Sequence, residues 1–146
     1  MFLVDTNIIS AVAPSKRERN KSLEDWFERA SEWLYLSVVT SAEIRGGILK
    51  AEREGATAKA SALRNWWQAV EHIYGRRFLA FDLAAAAIAG AMLDRSRAYD
   101  VGFEDIAIAA TAEAHGLTVL TDNERHFLPL GVVMLNPLKA LPQLPR

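Results

Sequence analysis

The chain has 146 residues, 17 basic and 18 acidic, for a net charge of −1 with histidine neutral. That is the size of one ordinary domain, and such a chain hides roughly 68–70% of the surface its unfolded form exposes, so folding requires neither disulfide nor structural metal. The lack of cysteine excludes disulfide frameworks, thiolate zinc sites and a cysteine nucleophile, and a near-neutral balance without a lysine run carries no overt nucleic-acid signature.

The first apolar run, Phe2 to Val4, stops at Asp5 and is far shorter than the ~7–15 residues of a signal-peptide core. The longest apolar stretch, Leu83 to Leu93, falls well under the ~20 residues that span a bilayer. A cytoplasmic location and no membrane partner are therefore expected. Phe2–Val4 reads as a buried strand ended by Asp-Thr-Asn. Leu23, Trp26, Phe27, Ala30 and Trp33 share one face of a helix over 22–34. Leu34 to Val39 reads as a strand, and Thr40-Ser41-Ala42-Glu43 has the spacing of a capping box that opens the next helix. Gly46-Gly47 then weakens the first turns of that helix or permits a close approach. The helical period returns over 57–74 in Leu63, Trp66, Trp67, Val70 and Ile73, so two helices joined by a polar link at 52–55 form an arm.

Phe78 to Phe81 is a further strand candidate, and Asp82 caps an alanine-rich helix over 83–98, which can pack closely on its neighbours. A helix from Asp105 to His115 is terminated by Gly116. Leu117 to Leu120 and Val132 to Leu135 are the last strands, with Asp122-Asn123 breaking the first of them. Residues 136–146 read as a loosely held tail. With no repeat or linker, residues 1–146 are expected to form a single domain. Strands alternating with helices predict an α/β sandwich on a mainly parallel sheet, and such sheets bind ligands beyond the carboxyl ends of their strands.

That edge collects acids. Asp5 follows the first strand, Glu43 the second and Asp122 the strand at 117–120, while Asp105, with Glu104 beside it, opens a helix packed on the sheet. Each taken singly also serves as a helix cap or first-turn acid. Gathered, the carboxylates would raise one another's pKa unless a divalent cation compensates them. All-oxygen ligation favours Mg2+ or Mn2+ over zinc, and such ions support phosphodiester hydrolysis.

Five segments in order carry a resemblance: Phe2-Leu-Val-Asp-Thr-Asn-Ile-Ile-Ser10, Val39-Thr-Ser-Ala-Glu-Ile-Arg-Gly-Gly47, Gly75-Arg-Arg-Phe-Leu-Ala-Phe-Asp82, Asp105-Ile-Ala-Ile-Ala-Ala-Thr-Ala112 and Leu120-Thr-Asp-Asn123. The chain resembles the PIN-domain ribonucleases, and among them the toxins of VapBC-type toxin–antitoxin pairs, most nearly the FitB-like subgroup. The resemblance implies a three-layer α/β/α sandwich and a metal-dependent endoribonuclease working by two-metal-type hydrolysis. It implies a small DNA-binding antitoxin of VapB or FitA type, and a homodimer that joins it in a hetero-oligomer. By the same resemblance Asp5, Glu43 and Asp105 are the metal-holding acids, and Asn7 and Thr121 are polar residues lining the site. Many members carry a fourth acid where this chain has Asn123, and Asp122 is the adjacent candidate to replace it. Glu104 is a candidate for a second cation.

Among the remaining residues, Arg45 and the pair Arg76-Arg77 are candidates for phosphate or for a partner's carboxylates, and equally for a solvated face. His72, His115 and His126 lack ligand spacing and read as surface or cap residues. Trp26, Trp33, Trp66 and Trp67 read as core or dimer packing. The rivals to a ribonuclease toxin are a PIN-fold scaffold that binds without cutting, a housekeeping nuclease, and another magnesium-dependent phosphate enzyme. An aspartyl phosphatase would carry Asp-x-Asp after its first strand, where this chain has Asn7. Setting aside Asp5, Glu43, Glu104, Asp105 and Asp122 leaves 17 basic residues against 13 acidic, so near-neutrality conceals an acidic pocket in a mildly basic molecule.

Overall fold

A computed structural model describes residues 1–146. Five strands form one all-parallel sheet: β1 (Phe2–Val4), β2 (Leu34–Ser37), β3 (Phe78–Leu79), β4 (Thr118–Leu120) and β5 (Met134–Leu135), in the order β3-β2-β1-β4-β5. The first strand made is therefore the central one. Val4 lies level with Leu36 on one side and Leu120 on the other, so β1, β2 and β4 end at a common edge.

Alternation along β1 divides the core. Phe2 and Val4 join Leu23, Trp26, Leu34 and Trp67 on one face of the sheet. Leu3 joins Val119, Ile106, Ile108 and Ala109 on the other. Both faces are apolar, as a parallel sheet covered by helices on each side requires. The first face is covered by α1 (Thr6–Ala11), α2 (Lys21–Ala30), α3 (Val38–Arg53) and α4 (Thr57–Tyr74). The second is covered by α5 (Leu83–Arg95) and α6 (Phe103–Ala114), followed by the short α7 (Glu124–Phe127). Ala85, Ala89, Ala109 and Ala112 are buried in these alanine-rich helices, where the absence of bulk brings the backbones together.

Several local expectations need correction. β2 ends at Ser37, and α3 starts at Val38 because the Ser37 hydroxyl accepts the Val39 N–H at 3.0 Å and caps the helix three residues early. Thr40 through Glu43 is thus helix interior and not a capping box. Nothing lies within 4 Å of where a Cβ on Gly46 or Gly47 would sit. The pair makes no close approach, and the helix runs through it to Arg53. Gly116, at φ +65°, does end α6 as its position suggested. The segment 136–146, expected to hang loosely, returns to the body: the Trp26 indole donates to the Pro142 carbonyl at 2.9 Å, and Leu144 packs on the first core. No helix is long and apolar enough to cross a membrane.

Candidate metal centre

Asp5 caps α1 immediately beyond the central strand. One carboxylate oxygen accepts the Thr6 N–H and the other the Thr121 hydroxyl, each at 2.8 Å. The residue is only 2% exposed and has no cation beside it. Burial, strengthened by the nearby charges of Asp105 and Glu43 and opposed by the two hydrogen bonds, pushes its carboxyl up to about 7.

Glu43 approaches from the second turn of α3. Its Oε1 accepts the Thr6 hydroxyl at 2.8 Å, and Thr6 Oγ1 lies 3.0 Å from the buried Thr40 hydroxyl. Thr6 has one hydroxyl hydrogen, which Glu43 takes, so Thr40 donates to Thr6. Desolvation raises the Glu43 carboxyl against the Thr6 bond, with Glu104 and Asp105 adding like charge.

Asp105 enters from the first turn of α6, where its Oδ2 lies 3.0 Å from His126 Nδ1. The Asn123 amide lies 2.8 Å from the same ring nitrogen. A carboxylate oxygen only accepts, so with Asp105 ionised Nδ1 carries the hydrogen and donates it to Oδ2, while the Asn123 Nδ2 stands beside the same ring nitrogen. Burial raises the Asp105 carboxyl, His126 lowers it, and Glu104 raises it again. A chain of contacts thus runs from Asp5 through Thr121, whose hydroxyl accepts the Asn123 N–H at 2.9 Å, to Asn123, His126 and Asp105.

Asp5, Glu43, Asp105 and Glu104 share one neighbourhood, since each of the first three feels charge from others of the group. Asp122 does not join them. It is exposed, its side chain forms no hydrogen bond, and it contributes to none of their shifts. Asn123, where the resemblance expects a fourth acid, presents a neutral amide to His126. Asn7 is exposed on α1 and makes none of the site's hydrogen bonds; the adjacent Thr6 makes them instead. Arg45 points to the arm, paired at 2.6 Å with Glu71 of α4. Thr6, Thr40 and His126 were missed in the sequence. For His126 the available signal was its i+3 spacing from Asn123.

The donor chemistry fits a hard cation. Every donor is oxygen, Glu43 and Asp105 are each held at one oxygen with the other left free, and Asp5 keeps lone pairs beside its two bonds. No three Asp, Glu or His side chains are gathered closely enough to hold an ion between them, so ligation calls for a side-chain adjustment of the more exposed Glu43 and Asp105. Uncompensated, the carboxylates resist ionisation, and a cation would remove that resistance.

A five-strand parallel α/β/α sandwich with carboxylates grouped over its central strand is the architecture of a PIN-type domain. Residues 2–129 match the family described as PIN domain, and the chain belongs to that family. It is 31% identical to Toxin FitB of Neisseria gonorrhoeae over 140 residues, 94% of this chain and 98% of that one. It is 33% identical to VapC ribonuclease Y4jK of Sinorhizobium fredii, across 94% and 97% of the two. The crystal structure of FitAcB from Neisseria gonorrhoeae contains a similar chain, with a TM-score of 0.79 at 30% identity, covering 94% of this chain and 99% of that one. Chains of this fold also occur in VapBC and FitAB toxin–antitoxin complexes.

Proposed function

We propose that this protein is the ribonuclease toxin of a toxin–antitoxin pair, hydrolysing RNA phosphodiesters with Mg2+ or Mn2+. The observation that carries the reading is Asp5, a buried carboxylate at the end of the central strand with two hydrogen bonds and no cation. Asp5, Glu43 and Asp105 would hold the ion, and Glu104 is the group left for a second. When bound, such an ion supplies Lewis-acid stabilisation of phosphoryl charge and a more acidic water.

The chain's own residues prepare that chemistry. Thr6 fixes Glu43 through its hydroxyl and Asp5 through its N–H, so one residue sets the relative position of two acids. Thr121 holds the far oxygen of Asp5, and His126 orients Asp105. Such outer contacts fix ligand direction and tune affinity. The carboxylates are the groups of this centre able to accept a proton from the attacking water. No side chain is asked to form a covalent intermediate.

Likeness to proteins named Toxin FitB and VapC ribonuclease supports the toxin reading, and likeness to chains in toxin–antitoxin complexes supports a small DNA-binding antitoxin, with a homodimer of this chain in the assembly. The test is purified protein with labelled single-stranded RNA. Cleavage requires Mg2+ or Mn2+, stops in EDTA and is lost in Asp5→Ala; cleavage that survives either change refutes the metal centre. Growth arrest on unpartnered expression, relieved by Asp5→Ala, tests toxicity. The neutral fourth place at Asn123 favours one rival, a scaffold that binds RNA without cutting it, and that rival predicts binding without products in the same assay.

A further inference from the structure

Two cavities open beside the acids. One, of about 330 Å³, is lined by Thr6 and Glu43 of the site together with Lys16, Lys59 and Trp66. The other, of about 360 Å³, is lined by Tyr99, Asp100, Arg125 and His126 and by the small residues Ala98 and Val101. Each touches the centre through a different residue: the first through Glu43, the second through His126, which is bonded to Asp105. Glu43 follows β2 and His126 follows β4, and these strands lie on opposite sides of β1. The cavities are therefore joined to the centre by residues that follow the strands on either side of β1.

Their cations are free. Lys16, Lys59 and Arg125 are exposed, and none takes part in the ion pairs that engage Arg19, Lys21, Arg45, Arg64, Arg95, Arg97 and Lys139. Each cavity also offers an aromatic ring, partly buried Trp66 in one and Tyr99, 60% exposed, in the other. Cations that follow a backbone, interleaved with aromatic faces, are what a single strand of nucleic acid recognises. The cavity volumes sit at the small end of ligand sites, on the order of 300 Å³, room for about one nucleotide each and not for a paired duplex. Asp100, the carboxylate of the second cavity, suits a base edge that donates hydrogen bonds and not a phosphate.

We infer that these cavities are nucleotide subsites on either side of the scissile phosphate, one strand of RNA crossing β1 with its flanking phosphates on Lys16 and Lys59 at one end and on Arg125 at the other. Tyr99 stacks the base on the His126 side. The inference rests on the ribonuclease reading for what lies between the subsites, and it adds which residues grip the strand and along which line.

The test compares wild type with the triple variant Lys16→Ala/Lys59→Ala/Arg125→Ala and with Tyr99→Ala. Cleavage of a labelled single-stranded RNA in Mg2+ gives kcat and KM, and fluorescence anisotropy of the same RNA in EDTA gives affinity against salt. For single strands the log–log salt slope is about 0.7 per phosphate contact, so loss of three contacts lowers it by about 2. The triple variant is expected to raise KM about tenfold or more with kcat nearly unchanged, and Tyr99→Ala to weaken binding by roughly fivefold or more. Wild type that cuts RNA while the triple variant keeps its KM and salt slope overturns the subsites and leaves the ribonuclease reading standing. Wild type that binds RNA with the expected slopes but never cuts overturns that reading and supports the subsites. If the triple variant loses a poly-glutamate peptide but holds RNA unchanged, the surface belongs to an acidic protein segment and the inference fails.

Discussion

Replacing Asp5 with asparagine should make the metal-free protein more stable above neutral pH and less stable in acid. In the fold the carboxyl titrates at about 7 against 3.8 when unburied. Because the folded value is the higher, the folded state holds the proton more tightly. The associated stability is complete below pH 3.8 and drains away as the pH rises toward 7. A gap of about 3 units at 1.36 kcal/mol each is about 4 kcal/mol of strain from the ionised carboxylate at pH 8. Asparagine removes that charge and keeps an acceptor for the Thr6 N–H. It turns an N–H toward the Thr121 hydroxyl, which already accepts the Asn123 N–H. The misdirected hydroxyl costs about 1–1.5 kcal/mol. Net, Asp5→Asn gains about 2–3 kcal/mol at pH 8 and loses about 1 kcal/mol near pH 4. Urea unfolding in EDTA reads this directly: with a slope of roughly 2 kcal/mol/M, the midpoint moves up by about 1 M at pH 8 and down at pH 4. A midpoint difference that keeps one sign and size across this range would mean that Asp5 is not strained by ionisation, and the case for a cation there would lose its physical basis.

Protons should compete with the cation. Asp5, Glu43 and Asp105 are all raised, so the Mg2+ concentration giving half-maximal RNA cleavage should climb as pH falls below about 7, whereas a flat dependence from pH 8 to 6 would contradict the carboxylate assignment. His126→Ala removes the hydrogen bond that orients Asp105 and should weaken Mn2+ binding, followed by electron paramagnetic resonance, by about 10-fold or more. An unchanged Mn2+ affinity would confine His126 to packing. Trp26→Phe keeps the ring in the core but deletes its bond to the Pro142 carbonyl. The expected loss is about 1 kcal/mol in thermal or urea unfolding, with earlier proteolytic trimming of the tail; trimming at the wild-type rate would show that the indole does not hold the segment.

The alternation of strands and helices was legible because each strand is a short apolar run closed by a polar residue; the edge rule then pointed to Asp5, Glu43 and Asp122, with Asp105 added from the start of a helix, and the family resemblance singled out Asp5, Glu43 and Asp105. What escaped was set by contacts distant in sequence or by elements too short to show a period. Val38 and Val39 read as strand because they are β-branched, yet the Ser37 cap starts the helix there. α7 has four residues, barely one turn, so beyond its i+3 spacing from Asn123 nothing in its local pattern marked His126 as facing Asp105, 21 positions earlier. Asp122 looked like the natural fourth acid by adjacency, but at a strand end consecutive residues point apart, and the inward place belongs to Thr121. The tail's proline content suggested looseness, while its anchor on Trp26 lies 116 positions away.

The first strand occupies the centre of the sheet, and this has a consequence for synthesis. β1 leaves the ribosome first but can be paired on both sides only after β4 has been made, and the Asp5–Thr121 bond spans 116 residues. At about 5–20 residues per second, roughly 6–23 s separate the two ends of that bond during translation. Through that interval Asp5 lies in unfinished chain, fully hydrated and ordinary in its acidity. The acidic centre is therefore assembled only once β4 and Thr121 have been made, long after its central residue.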